Sequence, residues 1–323
     1  MKKLIIALVA TMTFTVAVPA QAGWFKKIFN NYYTFAQTKH PIVLVPGIFA
    51  FDTIAGIDYW YQIPKAIESR GGKVFVPKIN AFDSSVDRGE HLIAQLDEIR
   101  ASSGGKYTKF NLMGHSQGGV TARYVMAVRP DLVASITSMS TPHTGSPVAD
   151  LLTDIAPEDS VQGKLFAAVG DATGNLVNLL SDNKASESDL YAMLGEFNKS
   201  GAADFNTRFP LGLPTEECGE GPRSVNVDGH HVELFSWGGA APVTTGVDIS
   251  DLLFGTTSLV FEGAPSDGIT GVCANHFGRI LRDNYIMNHI DINNHVLGIV
   301  SLLDTNPKTV FKNHANRLKK LGL

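Results

Sequence analysis

Residues Phe110 to Val128 hold the feature that most restricts what this chain can fold into. A short apolar run, Phe110-Asn111-Leu112-Met113, meets Gly114-His115-Ser116-Gln117-Gly118, and a helix-period stretch follows through Val120 and Tyr124 to Val128. A buried strand that turns sharply into a helix across Gly-x-Ser-x-Gly pushes the serine hydroxyl outward, and the flanking glycines keep backbone atoms from colliding. Ser116 is therefore a candidate nucleophile. A serine hydroxyl reacts poorly until a base takes its proton, and the base works best when a third group orients it. The remaining sequence has to supply both.

The surrounding pattern is that of an α/β chain. Ile42 to Val45, Val74 to Val76, Phe110 to Met113 and Ile136 to Met139 read as buried strands, with His231 to Trp237 and a shorter Leu259 to Phe261 later. Between the second and third lies an amphipathic helix, with Leu92, Ile93, Leu96 and Ile99 on one face and Glu90, Gln95, Asp97 and Arg100 on the other. Arg129-Pro130-Asp131 stops the helix that follows Ser116. This alternation predicts a mostly parallel sheet with helices on both faces. From about 149 to 209 the sequence stays helical in period, with Leu165, Phe166, Val169, Leu176, Val177, Leu179 and Leu180, and reads as a helical lid inserted after a central strand. No linker or internal repeat divides residues 23–323, so one domain is expected.

The N-terminus reads as an export signal. Met1-Lys2-Lys3 precedes an apolar stretch from Leu4 to Val18, and Ala20-Gln21-Ala22 is the small-x-small pattern cleaved by signal peptidase. The stretch is shorter than the ~20 residues a spanning helix needs. Residues 1–22 are thus an expected signal peptide, with the mature chain starting at Gly23. Its removal takes away two lysines and no carboxylate, moving the formal charge from −4 to −6, which argues against a nucleic-acid partner. The two cysteines, Cys218 and Cys273, are expected to pair in an oxidising compartment.

An acyl oxyanion needs backbone donors in place before it forms. The N–H of Gln117, just after the serine, is one candidate, and the loop Pro46-Gly47-Ile48 offers the Ile48 N–H as the second. A hydrolase with this nucleophile turn orders its residues serine, acid, histidine along the chain. Downstream, His276, His289, His295 and His314 are available as the base. His289 lies in a polar loop that the sequence places just before an apolar C-terminal helix. His276, with Phe277, Ile280 and Leu281 at helical spacing, reads as packing. Asp267, in a turn after the strand expected to end at Phe261, is the leading acid, with Asp248, Asp251 and Asp283 as rivals.

The segments PIVLVPGIFAFD, GIDYW, GHSQGG, RPDLVAS, TPHTGS, SDGITGVC, RDNYIMNHIDINNHVLG and ANRLK together resemble the Pseudomonas-type secreted true lipases of bacterial lipase family I. The likeness spans the chain from about Lys39 to the end. It implies an α/β-hydrolase fold and hydrolysis of long-chain acylglycerol esters at an oil–water interface. It implies a Ser116, Asp267 and His289 triad, an oxyanion hole from Ile48 and Gln117, and a Cys218–Cys273 disulfide. It also implies a structural Ca2+ held by the carboxylates of Asp248 and Asp291 and the carbonyls of His295 and Ile299. A membrane-anchored foldase chaperone and type II secretion from the periplasm are the implied partners. Two positions depart from the family pattern, Pro46 and Gln117, where histidine is common. A short-chain carboxylesterase or a phospholipase is the alternative on the same machinery, and a non-catalytic lipid- or protein-binding hydrolase fold is a more distant one.

Overall fold

In every described strand of the sheet interior the side chains alternate between two faces, and each face is covered by helices. The computed structural model describes residues 31–48, 53–54, 57–80, 83–154 and 194–323. The expected signal peptide and lid residues 155–193 lie outside them. Nine strands are described: β1 (Ile42–Val45), β2 (Thr53–Ile54), β3 (Ile57–Asp58), β4 (Val74–Phe75), β5 (Phe110–His115), β6 (Val133–Met139), β7 (Ser224–Val227), β8 (His230–Gly239) and β9 (Arg279–Tyr285). Seven form one sheet in the order β4-β1-β5-β6-β8-β7, with β9 also paired to β8. All its pairings are parallel except the β7–β8 hairpin.

On one face Val43, Val45, Leu112, Ile136 and Leu234 pack against α2 (Ser85–Ser102) and α3 (Gln117–Val128). On the other, Ile42, Leu44, Met113, Met139 and Trp237 meet α1 (Ile63–Glu68) and α7 (Pro307–Lys320). A side chain of this size contributes about 1.5–3 kcal/mol when fully buried. α2 begins where Ser84 Oγ accepts from the Asp87 N–H at 3.1 Å, and an acidic residue in that first turn suits the helix dipole.

Three further helices bear on the site: α4 (Pro147–Thr153), α5 (Lys199–Arg208) and α6 (Ile249–Thr257). α4 overlaps the start of the stretch read as a lid, about 149–209, and α5 lies near its end. No helix among the described residues is long and apolar enough to cross a membrane.

The structure corrects several readings. Leu259–Phe261 belongs to a 3-10 turn, Ser258–Phe261, because Glu262 adopts a left-handed conformation that ends the segment at once. The helical spacing of Phe277, Ile280 and Leu281 is misleading, since residues 279–285 form β9. Apart from a 3-10 turn at Val296–Gly298, the chain after His289 stays irregular until Pro307 opens α7, and Leu302 and Leu303 are exposed rather than packed in a helix.

Candidate active site

The C-terminal ends of the parallel strands bring together the loops on which the candidate residues lie, the usual place for a site in an open α/β sheet. Ser116 is the single residue between β5 and α3. Its backbone, at φ 56° and ψ −128°, lies in a sparsely populated region that costs about 1–3 kcal/mol. The turn is held by the Ser116 N–H, which donates to the Met139 carbonyl on β6 at 2.9 Å. It is also tight: a Cβ on Gly114 would stand 2.3 Å from the Gly118 carbonyl oxygen. Gly47 is constrained in the same way, since a Cβ there would lie 2.5 Å from Ser116 Cβ. That close approach lays the Pro46-Gly47-Ile48 loop against the serine. Among the described residues, the main-chain N–H groups of Ile48 and Gln117 have no hydrogen-bond acceptor.

His289 sits on a turn stitched by its neighbours. Asn288 Oδ1 accepts from the Ile290 and Asp291 N–H groups at 3.1 and 2.9 Å, while Asp291 Oδ2 accepts from the Asn288 N–H at 3.2 Å. The ring is buried, with Nε2 3.0 Å from Ser116 Oγ and Nδ1 3.0 Å from Asp267 Oδ2. Asp267 is fixed by its own turn: Oδ1 accepts from the Ile269 and Thr270 N–H groups at 3.0 and 2.7 Å. This leaves Oδ2 for the histidine. Asp267 O also accepts from the His289 N–H at 3.0 Å, so the two turns are joined by backbone as well as by side chain.

The structure places the rival residues elsewhere. His276 Nε2 pairs with Asp283 Oδ2 at 3.1 Å and its Nδ1 lies 3.1 Å from the Gly219 carbonyl, next to the Cys218–Cys273 disulfide. His314 lies in α7 against Thr137, Phe235 and Trp237. Asp251 accepts from the Thr244, Thr245 and Gly246 N–H groups and from Asn288 Nδ2, and so organises the loop before α6.

Asp248 and Asp291 are buried, and each has one oxygen, Asp248 Oδ2 and Asp291 Oδ1, without a hydrogen-bond partner among the described residues. Burial, with the charges of Asp248 and Asp251 adding to it, pushes Asp291 up to about 7 against the hydrogen bonds from Thr244 and Asn288. Burial likewise raises Asp248. Two buried carboxylates with orphaned oxygens are what a hard cation with oxygen ligands requires. Downstream, Asn294, Val296 and Leu297 all have φ between 51° and 60°, left-handed conformations that are costly above all for the β-branched Val296. This bent stretch carries the carbonyls of His295 and Ile299. Among the described residues no group of three or more His, Cys, Asp or Glu side chains is placed to hold a metal. Asp248 Oδ2 and Asp291 Oδ1 are oxygen donors of the kind a hard cation such as calcium takes, with backbone carbonyls suited to the rest of such a site.

Three further residues shape the site. Arg88 is fully buried and donates to the Asn80 and Pro46 carbonyls, with a longer 3.4 Å contact to that of Gly47. Burial pushes it down to about 10, partly offset by Tyr59, Glu196 and Asp83. Tyr59 and His115 connect the same loop to His289. A signal for Arg88 was present in the sequence: it stands four residues before Leu92 and eight before Leu96, on the apolar stripe of α2.

An α/β-hydrolase fold model matches residues 40–210. A triacylglycerol lipase of Vibrio cholerae is 46% identical, with 90% of each chain covered. One from Pseudomonas fragi is 33% identical over 89% of this chain and 98% of its own. Among solved structures, a Bacillus licheniformis lipase in mature form superposes with a TM-score of 0.57 at 18% identity, covering 87% of this chain and 93% of that one, which bears on the fold alone. The chain belongs to the α/β-hydrolase family and, within it, to the bacterial triacylglycerol lipases, which are carboxylic ester hydrolases.

Proposed function

We propose that this protein is a secreted triacylglycerol lipase that cleaves long-chain acylglycerol esters through a Ser116 acyl-enzyme. The observation that carries this reading is the unbroken buried line from Ser116 Oγ through the His289 ring to Asp267 Oδ2. His289 Nε2 takes the hydroxyl proton as Oγ attacks the acyl carbonyl. The carbonyl electrons move onto oxygen, where the Ile48 and Gln117 N–H groups receive the negative charge. The intermediate then collapses, the C–O bond to the alcohol breaks, and His289 returns the proton to the departing oxygen. Water repeats the sequence on the acyl-enzyme and releases the fatty acid. Asp267 stays ionised and keeps the imidazole oriented.

The preference for lipid is supported by α6, whose Phe254 packs edge-on against His289 while Leu252 on the same helix is 78% exposed. Val247 and Leu259 add exposed apolar surface on either side of that helix. A lid at about 149–209 would cover such surface in water and open at an interface. When bound, a calcium ion between Asp248 and Asp291 supplies charge neutralisation and rigidity. Asp291, two residues beyond the base, anchors the His289 turn through its bonds with Asn288 and Thr244. Export after cleavage at Ala22, a foldase chaperone and type II secretion complete the proposal.

The test is a comparison of tributyrin with triolein emulsions, using wild type and Ser116→Ala. Wild type is expected to hydrolyse triolein readily and Ser116→Ala neither substrate. Cleavage of tributyrin alone favours the short-chain esterase reading, and turnover by Ser116→Ala overturns the nucleophile.

A further inference from the structure

The ring of His115 is buried inside the Gly-x-Ser-x-Gly turn, yet no chemical step above uses it. Its Nδ1 lies 2.6 Å from Tyr59 Oη, and its Nε2 lies 2.8 Å from the main-chain carbonyl oxygen of His289. Tyr59 Oη in turn accepts from the Gly47 N–H at 2.9 Å. We propose that Tyr59 and His115 are positioning residues that tie the oxyanion loop to the backbone of the catalytic base, so that both are set by one hydrogen-bonded relay. This inference rests on the triad reading of Ser116, Asp267 and His289.

The direction of every bond in the relay is fixed by its two ends. The Gly47 N–H can only donate, so Tyr59 Oη accepts there. The His289 carbonyl can only accept, so His115 Nε2 carries hydrogen. A neutral imidazole with hydrogen on Nε2 has its lone pair on Nδ1, which then receives the Tyr59 O–H. This single arrangement makes all three hydrogen bonds and leaves none of their donors idle. Burial, reinforced by the nearby His289, holds His115 well below the usual histidine range and keeps the ring neutral, as the relay requires.

The surroundings make the relay stiff. Arg88 holds the Pro46 carbonyl while Tyr59 holds the Gly47 N–H, so the peptide just before the Ile48 donor is fixed at both ends. On the other side, Asn293 Nδ2 donates to the Tyr59 carbonyl and Asn294 Nδ2 to that of Tyr61, each at 2.7 Å. The 59–61 turn is thus joined twice to the loop that follows His289. Tyr59 and His115 are almost wholly buried, so water does not compete for these bonds.

The test is Tyr59→Phe, which removes one oxygen and keeps the ring. Active enzyme is counted by phosphonate titration, and a soluble ester is the substrate. We expect kcat to fall about 10- to 100-fold with KM within about two-fold, the pattern of a misplaced transition-state donor. Affinity for a trifluoromethyl ketone, whose adduct with Ser116 places an oxyanion in the same hole, should weaken by the same factor. His115→Ala combined with Tyr59→Phe should lose no more than about two-fold beyond the worse single variant. Losses that multiply overturn the relay, and so does Tyr59→Phe with lowered Tm but unchanged kcat and ketone affinity. If His115→Ala does not fold, Tyr59→Phe decides alone. Turnover by Ser116→Ala refutes the triad itself, whereas an inactive Ser116→Ala beside an unaffected Tyr59→Phe refutes only the relay.

Discussion

Ser116 stands at the junction of two regular elements, whereas Asp267 and His289 stand on chain that is neither strand nor helix. β5 is buried along its whole length and paired on both sides, to β1 and β6, so the serine is placed by many backbone hydrogen bonds at once. The proposed acid and base are placed by a few polar side chains, Asn288, Asp251 and Asp291 among them, and by the turn bonds of Asp267. The lesson is one of distribution. A regular frame spreads its stability thinly over many groups, while an irregular loop concentrates it in a few, so single changes there cost more. Chemistry should be equally sensitive on both sides, and stability should not.

The largest effect expected is on rate. His289→Ala should lower kcat by about 10⁴-fold or more, measured by fatty-acid release, while His276→Ala keeps turnover per folded molecule. The reverse ranking would move the base to the other histidine. Next comes the ion. Chelation with mild heating should lower activity and Tm together, and both should recover as free calcium rises, stability gaining about 2.7 kcal/mol at a hundred times the Kd. Asp291→Asn should abolish that response. Asp251→Asn should lower Tm, because it loosens the loop before α6, but keep the calcium response. An Asp291→Asn protein with unchanged Tm and calcium response would remove the ion from the account.

Reducing Cys218–Cys273 should cost about 2–4 kcal/mol of stability and change kcat at room temperature far less, since the bridge closes the loop containing β7 and β8 rather than touching the reacting atoms. Calorimetry and activity on the same reduced sample separate the two. The smallest effect belongs to the serine side. Asp131, just beyond α3, is held at about 2 by hydrogen bonds from Arg129 and Arg100. Its folded pKa lies below the unfolded value of about 3.9, so its stabilisation is complete above that value and is lost as pH falls towards 2. The cluster is partly exposed, so Asp131→Asn should cost under about 1 kcal/mol at pH 7 and progressively less as pH falls through about 2, as read by denaturant midpoints.

The same contrast decides what could be read from sequence. The serine turn is written in a dozen contiguous residues, and the strand before it and helix after it follow from the apolar pattern. For the acid, Asp267 had three rivals, because its pairing with His289 is made by tertiary contact between two irregular stretches. β9 was missed because Ile280 and Leu281 are adjacent, which spoils the alternation of a half-exposed strand. Arg88 was not singled out, although its place on the apolar stripe of α2 marks it as buried. Tyr59 and His115 could not be paired from sequence at all: 56 residues separate them, and only the packing of the 59–61 turn on the nucleophile strand joins their side chains.

The most direct test of the central claim is peptide mapping after reaction with a long-chain alkyl phosphonate, which traps the nucleophile only when base and oxyanion donors are in place. The account predicts one adduct per molecule, on Ser116, formed much more slowly in His289→Ala and in calcium-stripped protein. An adduct on another residue, or labelling of Ser116 at an undiminished rate in His289→Ala, would contradict it.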